Sequence, residues 1–105
     1  MITRIVKLTF QEDKMDEFLA FFETIKFQVN SFPGCGGMKL LRDKNHPNIV
    51  LTYSNWESED SLNNYRDSEV FGKVWPTIKP WFTSRPEAWT TAVYFDGFEV
   101  INTKN

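Results

Sequence analysis

Residues 53–82 read YSNWESEDSLNNYRDSEVFGKVWPTIKPWF, and this stretch decides the fold. It carries three of the four tryptophans and two of the three tyrosines. Ser58 and Ser68 each precede acidic residues and a short amphipathic run. A serine hydroxyl there accepts a hydrogen bond from a free N–H of the first helical turn, so each serine marks a helix start. The first helix spans about 59–66, with Leu62 and Tyr65 on its inward side. The second places Phe71, Val74, Trp75 and Ile78 at i, i+3, i+4 and i+7, one apolar face. Pro76 has no N–H for the carbonyl of Gly72, so this helix is expected to kink at Pro76 or stop before it. Pro80 and Pro86 then make the connection irregular.

Working upstream, residues 48–55 read as a strand ending at Trp56, and residues 37–42 as another. The turn cluster DKNHPN between them makes an antiparallel hairpin. The glycine-rich residues 34–37 lack a following Lys-Ser/Thr and lead into a strand, so they form a turn and not a phosphate cradle. Cys35 has no His or Lys beside it in sequence to activate its thiol. From residue 11 to 30, Met15, Phe18, Leu19, Phe22, Ile25 and Val29 make one helical stripe. Phe21 and Phe27 lie off it, and Pro33-Gly34 ends it. Residues 2–10 alternate as a strand: Ile2, Val6, Leu8 and Phe10 share a face that Arg4 interrupts, and Thr3, Ile5, Lys7 and Thr9 share the other. Arg4 reads either as a strand-end charge reaching solvent or as a cation at the mouth of a pocket beneath the helices. Downstream, residues 88–95 contain TTAVYF, a fourth strand; Asp96-Gly97 turns, and residues 98–101 suit a short extension.

The order is β-α-β-β-α-β, an α+β ferredoxin-like domain with an antiparallel sheet. One helical layer covers one sheet face. The opposite face keeps apolar residues such as Ile5, and a second copy packed sheet to sheet with twofold symmetry would cover it. The expected unit is a homodimer.

Composition bounds the function. A chain of 105 residues is one domain, 1–105, with 98–105 as a short C-terminal tail. A net charge of −2 without a basic run speaks against nucleic acid as partner. One cysteine permits no intrachain disulfide, and one histidine, His46 in a loop, leaves a His-based metal cluster or triad without its parts. The alternating, charged N-terminus is unlike a signal peptide. No apolar run reaches membrane-helix length. A cytoplasmic protein without membrane partner is the expectation.

The string Asn55-Trp56-Glu57-Ser58-Glu59-Asp60-Ser61-Leu62, then Tyr65 and Ser68-Glu69-Val70-Phe71, resembles the antibiotic biosynthesis monooxygenase superfamily. The Phe32-Pro33-Gly34 turn before a strand is similar as well. The resemblance implies a dimeric α+β barrel with a pocket in each subunit between sheet and helices. Members include cofactor-independent oxygenases that turn polycyclic phenols into quinones, and haem-degrading monooxygenases. The haem branch places its proximal histidine on the helix that starts with the Ser-acidic-X-Phe string. Trp75 matches that position, and Trp does not ligate iron. The branch's strand asparagine matches Val6 or Lys7, and its short-helix tryptophan matches Tyr65. The resemblance therefore disfavours haem degradation and points to a monooxygenase without cofactor or metal, acting on a small electron-rich aromatic. Arg4, Val6, Trp56, Leu62, Tyr65, Phe71 and Trp75 are the candidate pocket wall, with Trp81 a further aromatic. Asn63, Asn64, Arg66 and Lys73 are possible polar contacts. No catalytic residue is assigned. The same apolar residues also suit plain packing of helices on sheet, and a non-enzymatic dimeric small-molecule-binding module is the alternative function.

Overall fold

A computed structural model describes residues 1–98; the tail beyond them, including most of the expected 98–101 extension, lies outside the described residues. Strand β1 (Ile2–Thr9) runs through the middle of the sheet. Strand β3 (Ile49–Trp56) pairs with it on one side and β4 (Glu87–Thr91) on the other. Strand β2 (Cys35–Arg42) adds to β3, giving the order β2-β3-β1-β4 with every pair antiparallel. Helix α1 (Met15–Asn30) crosses from β1 to β2. Helices α2 (Glu59–Arg66) and α3 (Glu69–Ile78) cross from β3 to β4. This is the ferredoxin-like α+β arrangement expected from the residue pattern.

Both serine caps are present. Ser58 Oγ accepts from the Ser61 N–H at 3.1 Å, and Ser68 Oγ accepts from the Phe71 N–H at 3.3 Å. Each satisfies one of the free donors of a helix start. α1 lacks such a cap, and a 3-10 turn at Glu12–Lys14 leads into it, so the α-helix begins only at Met15. The helix α3 runs through Pro76 to Ile78, neither stopping before the proline nor ending at it.

Two strand boundaries differ from expectation. β2 starts at Cys35 and not at Gly37, because a bulge at Gly36 lets Cys35 pair with Trp56 while Gly37 pairs with Asn55. β4 ends at Thr91 and not at residue 95. Thr91 pairs with Thr3, and β1 begins one residue earlier, so the apolar run after Thr91 finds no strand to pair with.

The core lies between the sheet and the helices. Leu8 and Phe10 from β1 and its end, Val50 from β3, Met15 and Phe18 from α1, and Ile78 from α3 form one buried cluster. None of α1, α2 and α3 covers the opposite face. Lys39, Tyr53, Ile5 and Trp89 form one cross-strand row there. Trp89 is 46% and Leu41 47% exposed, while residues 93–98 pass over the end of this face near Thr3, Ile5 and Tyr53.

Gly34 fixes how α2 sits. Its φ of +86° lies in the region that L side chains avoid, and an added Cβ would overlap the Ser61 side chain in the first turn of α2. The Gly34 carbonyl also accepts from the Glu57 N–H at 2.9 Å, tying this turn to the end of β3. Gly34→Ala is expected to lower stability by about 1–3 kcal/mol in urea unfolding; an unchanged midpoint would refute this role.

Candidate functional site

A cavity of about 420 Å³ lies between the sheet and the α2–α3 pair. That is within the usual range of small-molecule sites. β1 contributes Arg4, Val6 and Leu8, and β3 contributes Thr52. α2 contributes Leu62, Tyr65 and Arg66, and α3 contributes Phe71, Val74, Trp75 and Ile78. Pro86 and Ala88 close the side next to β4.

A continuous series of ring contacts spans this space. Trp56 stacks on Tyr65 with centroids 5.1 Å apart, and Tyr65 meets Phe71 edge to face at 5.4 Å. Phe71 stacks on Trp75 at 5.9 Å with planes only 12° apart. Trp75 touches Phe82 at 5.6 Å, and Phe82 touches Phe10 at 5.2 Å, back at the sheet. Such offset and edge-to-face pairs add to the burial of the rings themselves.

Arg4, Val6, Leu62, Tyr65, Phe71 and Trp75 thus stand around one cavity. Trp56 does not. It is 1% exposed, lies behind Tyr65, and donates from Nε1 to Ser54 Oγ at 2.9 Å. Its indole supports the wall from behind, because the inward face of β3 at that point is already covered by α2. Trp81 is also absent from the wall; it packs edge to face on Phe21 of α1 at 6.3 Å. Of the polar candidates only Arg66 reaches the cavity; Asn63, Asn64 and Lys73 are exposed and do not line it. Thr52 and Ala88 were missed from sequence. Both are the cross-strand partners of Val6, so the register that makes them wall residues is the signal that finds them.

The electrostatics of the wall are one-sided. Arg4 donates to Thr90 Oγ1 at 2.8 Å, across the β1–β4 pairing. Partial burial, then the nearby charge of Arg66, lowers its pKa from the usual arginine value. The ion pairs among the described residues join Lys7 to Glu87, Lys14 to Glu17 and Lys26 to Glu23, so neither arginine is neutralised by a carboxylate. Among the described residues, no Asp, Glu, His or Cys lines the cavity. Tyr65 is the one further ionisable group among the described wall residues. Burial first, and then the charge of Cys35, push its hydroxyl up to about 12. At neutral pH it is a hydrogen-bond donor and not a base.

The described residues do not suit a metal or haem. Among the described residues, no group of three or more His, Cys, Asp or Glu side chains is placed to hold a metal ion. His46 is exposed in the β2–β3 loop, where its N–H donates to Asp43 Oδ1 at 2.7 Å. Tyr65 is the sole wall side chain of a type that ligates haem iron, and its raised pKa opposes the phenolate that such ligation needs.

Fold and cavity together define an α+β domain with an aromatic pocket under its second crossover. The antibiotic biosynthesis monooxygenase family profile matches residues 1–75, and the chain belongs to that family. No curated protein matches the sequence. Among solved structures, an antibiotic biosynthesis monooxygenase superposes with a TM-score of 0.85 at 16% identity, over 90% of this chain and 100% of that one. Rv0793 from Mycobacterium tuberculosis gives 0.83 at 12% identity, over 91% and 97% of the two chains. A conserved protein from Methanosarcina mazei Go1 gives 0.79 at 20% identity, over 86% and 90%. Likeness at these identities establishes the fold.

The Tyr65 environment makes a pH prediction. Unfolded, the phenol ionises near pH 10; folded, it ionises near 12. Between those values the unfolded chain has released a proton that the folded chain still holds. Stability should therefore be fully present below pH 10 and decline as pH rises through about 12. Urea midpoints at pH 9 and pH 11 should show the decline, and Tyr65→Phe should flatten it. An equal pH dependence in the variant would contradict the assignment.

Proposed function

We propose that the chain is a cofactor-independent monooxygenase acting on a small electron-rich aromatic of the quinone-forming type. The observation that carries this reading is the pairing of the stacked rings Phe71 and Trp75 with the Arg4 guanidinium in one cavity. A flat substrate held against those rings sheds its water shell and is oriented. Arg4 favours negative charge on the substrate oxygen. An aromatic anion is electron-rich enough to give one electron to dioxygen, and recombination of the resulting pair forms a carbon–oxygen bond. At a ring methylene next to the anion, loss of water then leaves a carbonyl. One oxygen atom stays on the ring, the other leaves as water with the two methylene hydrogens, and the substrate loses two electrons for each oxygen atom reduced. The residues named bind, orient and exclude water; the substrate supplies the electrons.

The second reading, a non-enzymatic small-molecule-binding module, is favoured by the lack of a carboxylate or imidazole among the described wall residues. Turnover separates the two. Metal-free protein incubated with a panel of anthrones and hydroquinones should consume oxygen above buffer, and Trp75→Ala should lower kcat/KM roughly tenfold or more. Binding without oxygen uptake across the panel would leave the binding module as the function.

We also propose that the domain, 1–105, works as a homodimer through the sheet face that carries Ile5, Tyr53 and Trp89, in the cytoplasm. Among the described residues no helix is long and apolar enough to cross a membrane. Half-exposed Trp89 and Leu41 on that face favour a partner surface of the same kind. Light scattering at micromolar concentration should give twice the chain mass, and Trp89→Glu should shift it toward the monomer. A monomeric wild-type chain would contradict the dimer.

A further inference from the structure

We infer that the cavity selects a ligand with an oxyanion attached directly to its flat aromatic ring, bound between Arg4 and Arg66. This rests on the reading of the cavity as a ligand site and adds the charge of what occupies it. Three observations converge. Arg4 and Arg66 come from different elements, β1 and the end of α2, and are close enough for the charge of one to disfavour the charge of the other. Among the described residues no carboxylate joins them: the ion pairs lie elsewhere, and no acidic side chain lines the wall. The described wall residues also include no base, because the tyrosine among them stays protonated at neutral pH. A neutral phenol would find nothing there to take its proton. A ligand that arrives already ionised needs no base, and its charge relieves the repulsion between the two cations.

The geometry matches such a ligand. Arg4 is held on one side by Thr90 Oγ1, which leaves the rest of its planar fork for a second acceptor. Arg66 is an exposed residue that also lines the cavity, so it can meet the same anion from the helical side. Phe71 and Trp75 would hold the ring. A ring carboxylate and an already ionised ring hydroxyl offer the same chemistry, an oxygen anion in the plane of the ring, and they are separated by experiment. A guanidinium–oxyanion contact in a partly dry site is worth about tenfold or more in affinity.

Calorimetry without oxygen tests this with 2-naphthoate, 2-naphthamide and 2-naphthol at pH 8, on the full chain. 2-Naphthoate should bind about tenfold or more tightly than 2-naphthamide, which has the same shape without the charge. Arg66→Gln, at an exposed position where folding is not at stake, should weaken 2-naphthoate about tenfold and leave 2-naphthamide within about twofold. Arg4→Lys should keep most of the preference and Arg4→Gln should lose it. If 2-naphthol shows the absorption of its phenolate when bound, an ionised hydroxyl is accepted as well as a carboxylate. Equal affinity for 2-naphthoate and 2-naphthamide, or tight binding of 2-naphthol in its neutral form, would overturn the inference and leave the cavity reading intact. An Arg66→Gln variant that weakens both naphthoate and naphthamide equally would overturn it too. No binding by any of the three would sink the site itself. A charge preference without oxygen uptake would sink the oxygenase reading alone.

Discussion

The series of rings from Trp56 through Tyr65, Phe71, Trp75 and Phe82 to Phe10 is the constraint on which the rest depends. It begins and ends on the sheet and passes through both short helices. Small side chains in those positions would let α2 and α3 settle onto β1 and β4. Large flat rings in mutual contact hold the helices up as a rigid span, because aromatic pairs have few rotamers and preferred separations. The cavity is the space beneath that span. α1 meets the series at its sheet end, where Phe18 stacks on Phe10 at 4.3 Å. Its Met15, Phe18, Ile25 and Val29 are buried in ordinary aliphatic and aromatic packing.

What the span encloses is unusual in what it omits. A pocket equipped for acid–base catalysis holds a carboxylate or an imidazole poised near neutral pH. This wall holds two guanidinium groups and a phenol that burial keeps protonated. On the proposed oxygenase reading, the substrate and dioxygen supply the chemistry, and the protein supplies shape, dryness and positive potential. The same features also serve simple capture of an aromatic anion. The family, established over residues 1–75, provides the scaffold for either.

Much of the fold was legible because local signals agreed with one another. Ser58 and Ser68 sit where hydroxyl caps are needed, and the turn at 43–48 joins two runs of strand formers. The failures have specific causes. The run after Thr91 reads as strand by composition, yet a strand needs a partner, and β1 begins only one residue before Thr3. Gly37 reads as a strand start, but a bulge at Gly36 carries pairing back to Cys35. Pro76 removes one hydrogen bond, and the packing of Trp75 and Ile78 on either side of it keeps α3 helical regardless.

The site was half legible. Helical spacing brings Tyr65, Phe71 and Trp75 to one side, and strand alternation brings Arg4 and Val6 to the face below. Trp56 looked equivalent to the other aromatics, since sequence does not tell a wall from the layer behind it. Arg66 could not be told from Asn63 and Asn64, because position near a helix end leaves a long side chain free to turn either way. Thr52 and Ala88 depend on cross-strand register, which no single segment encodes.

The most direct test of the central claim is an experimental electron-density map of crystals soaked with 2-naphthoate. The ring should lie against Phe71 and Trp75, beneath the aromatic span, with its carboxylate toward Arg4 and Arg66. A map in which Trp75 drops onto Val6 and Ala88, filling the space and leaving no room for the ligand, would contradict the account.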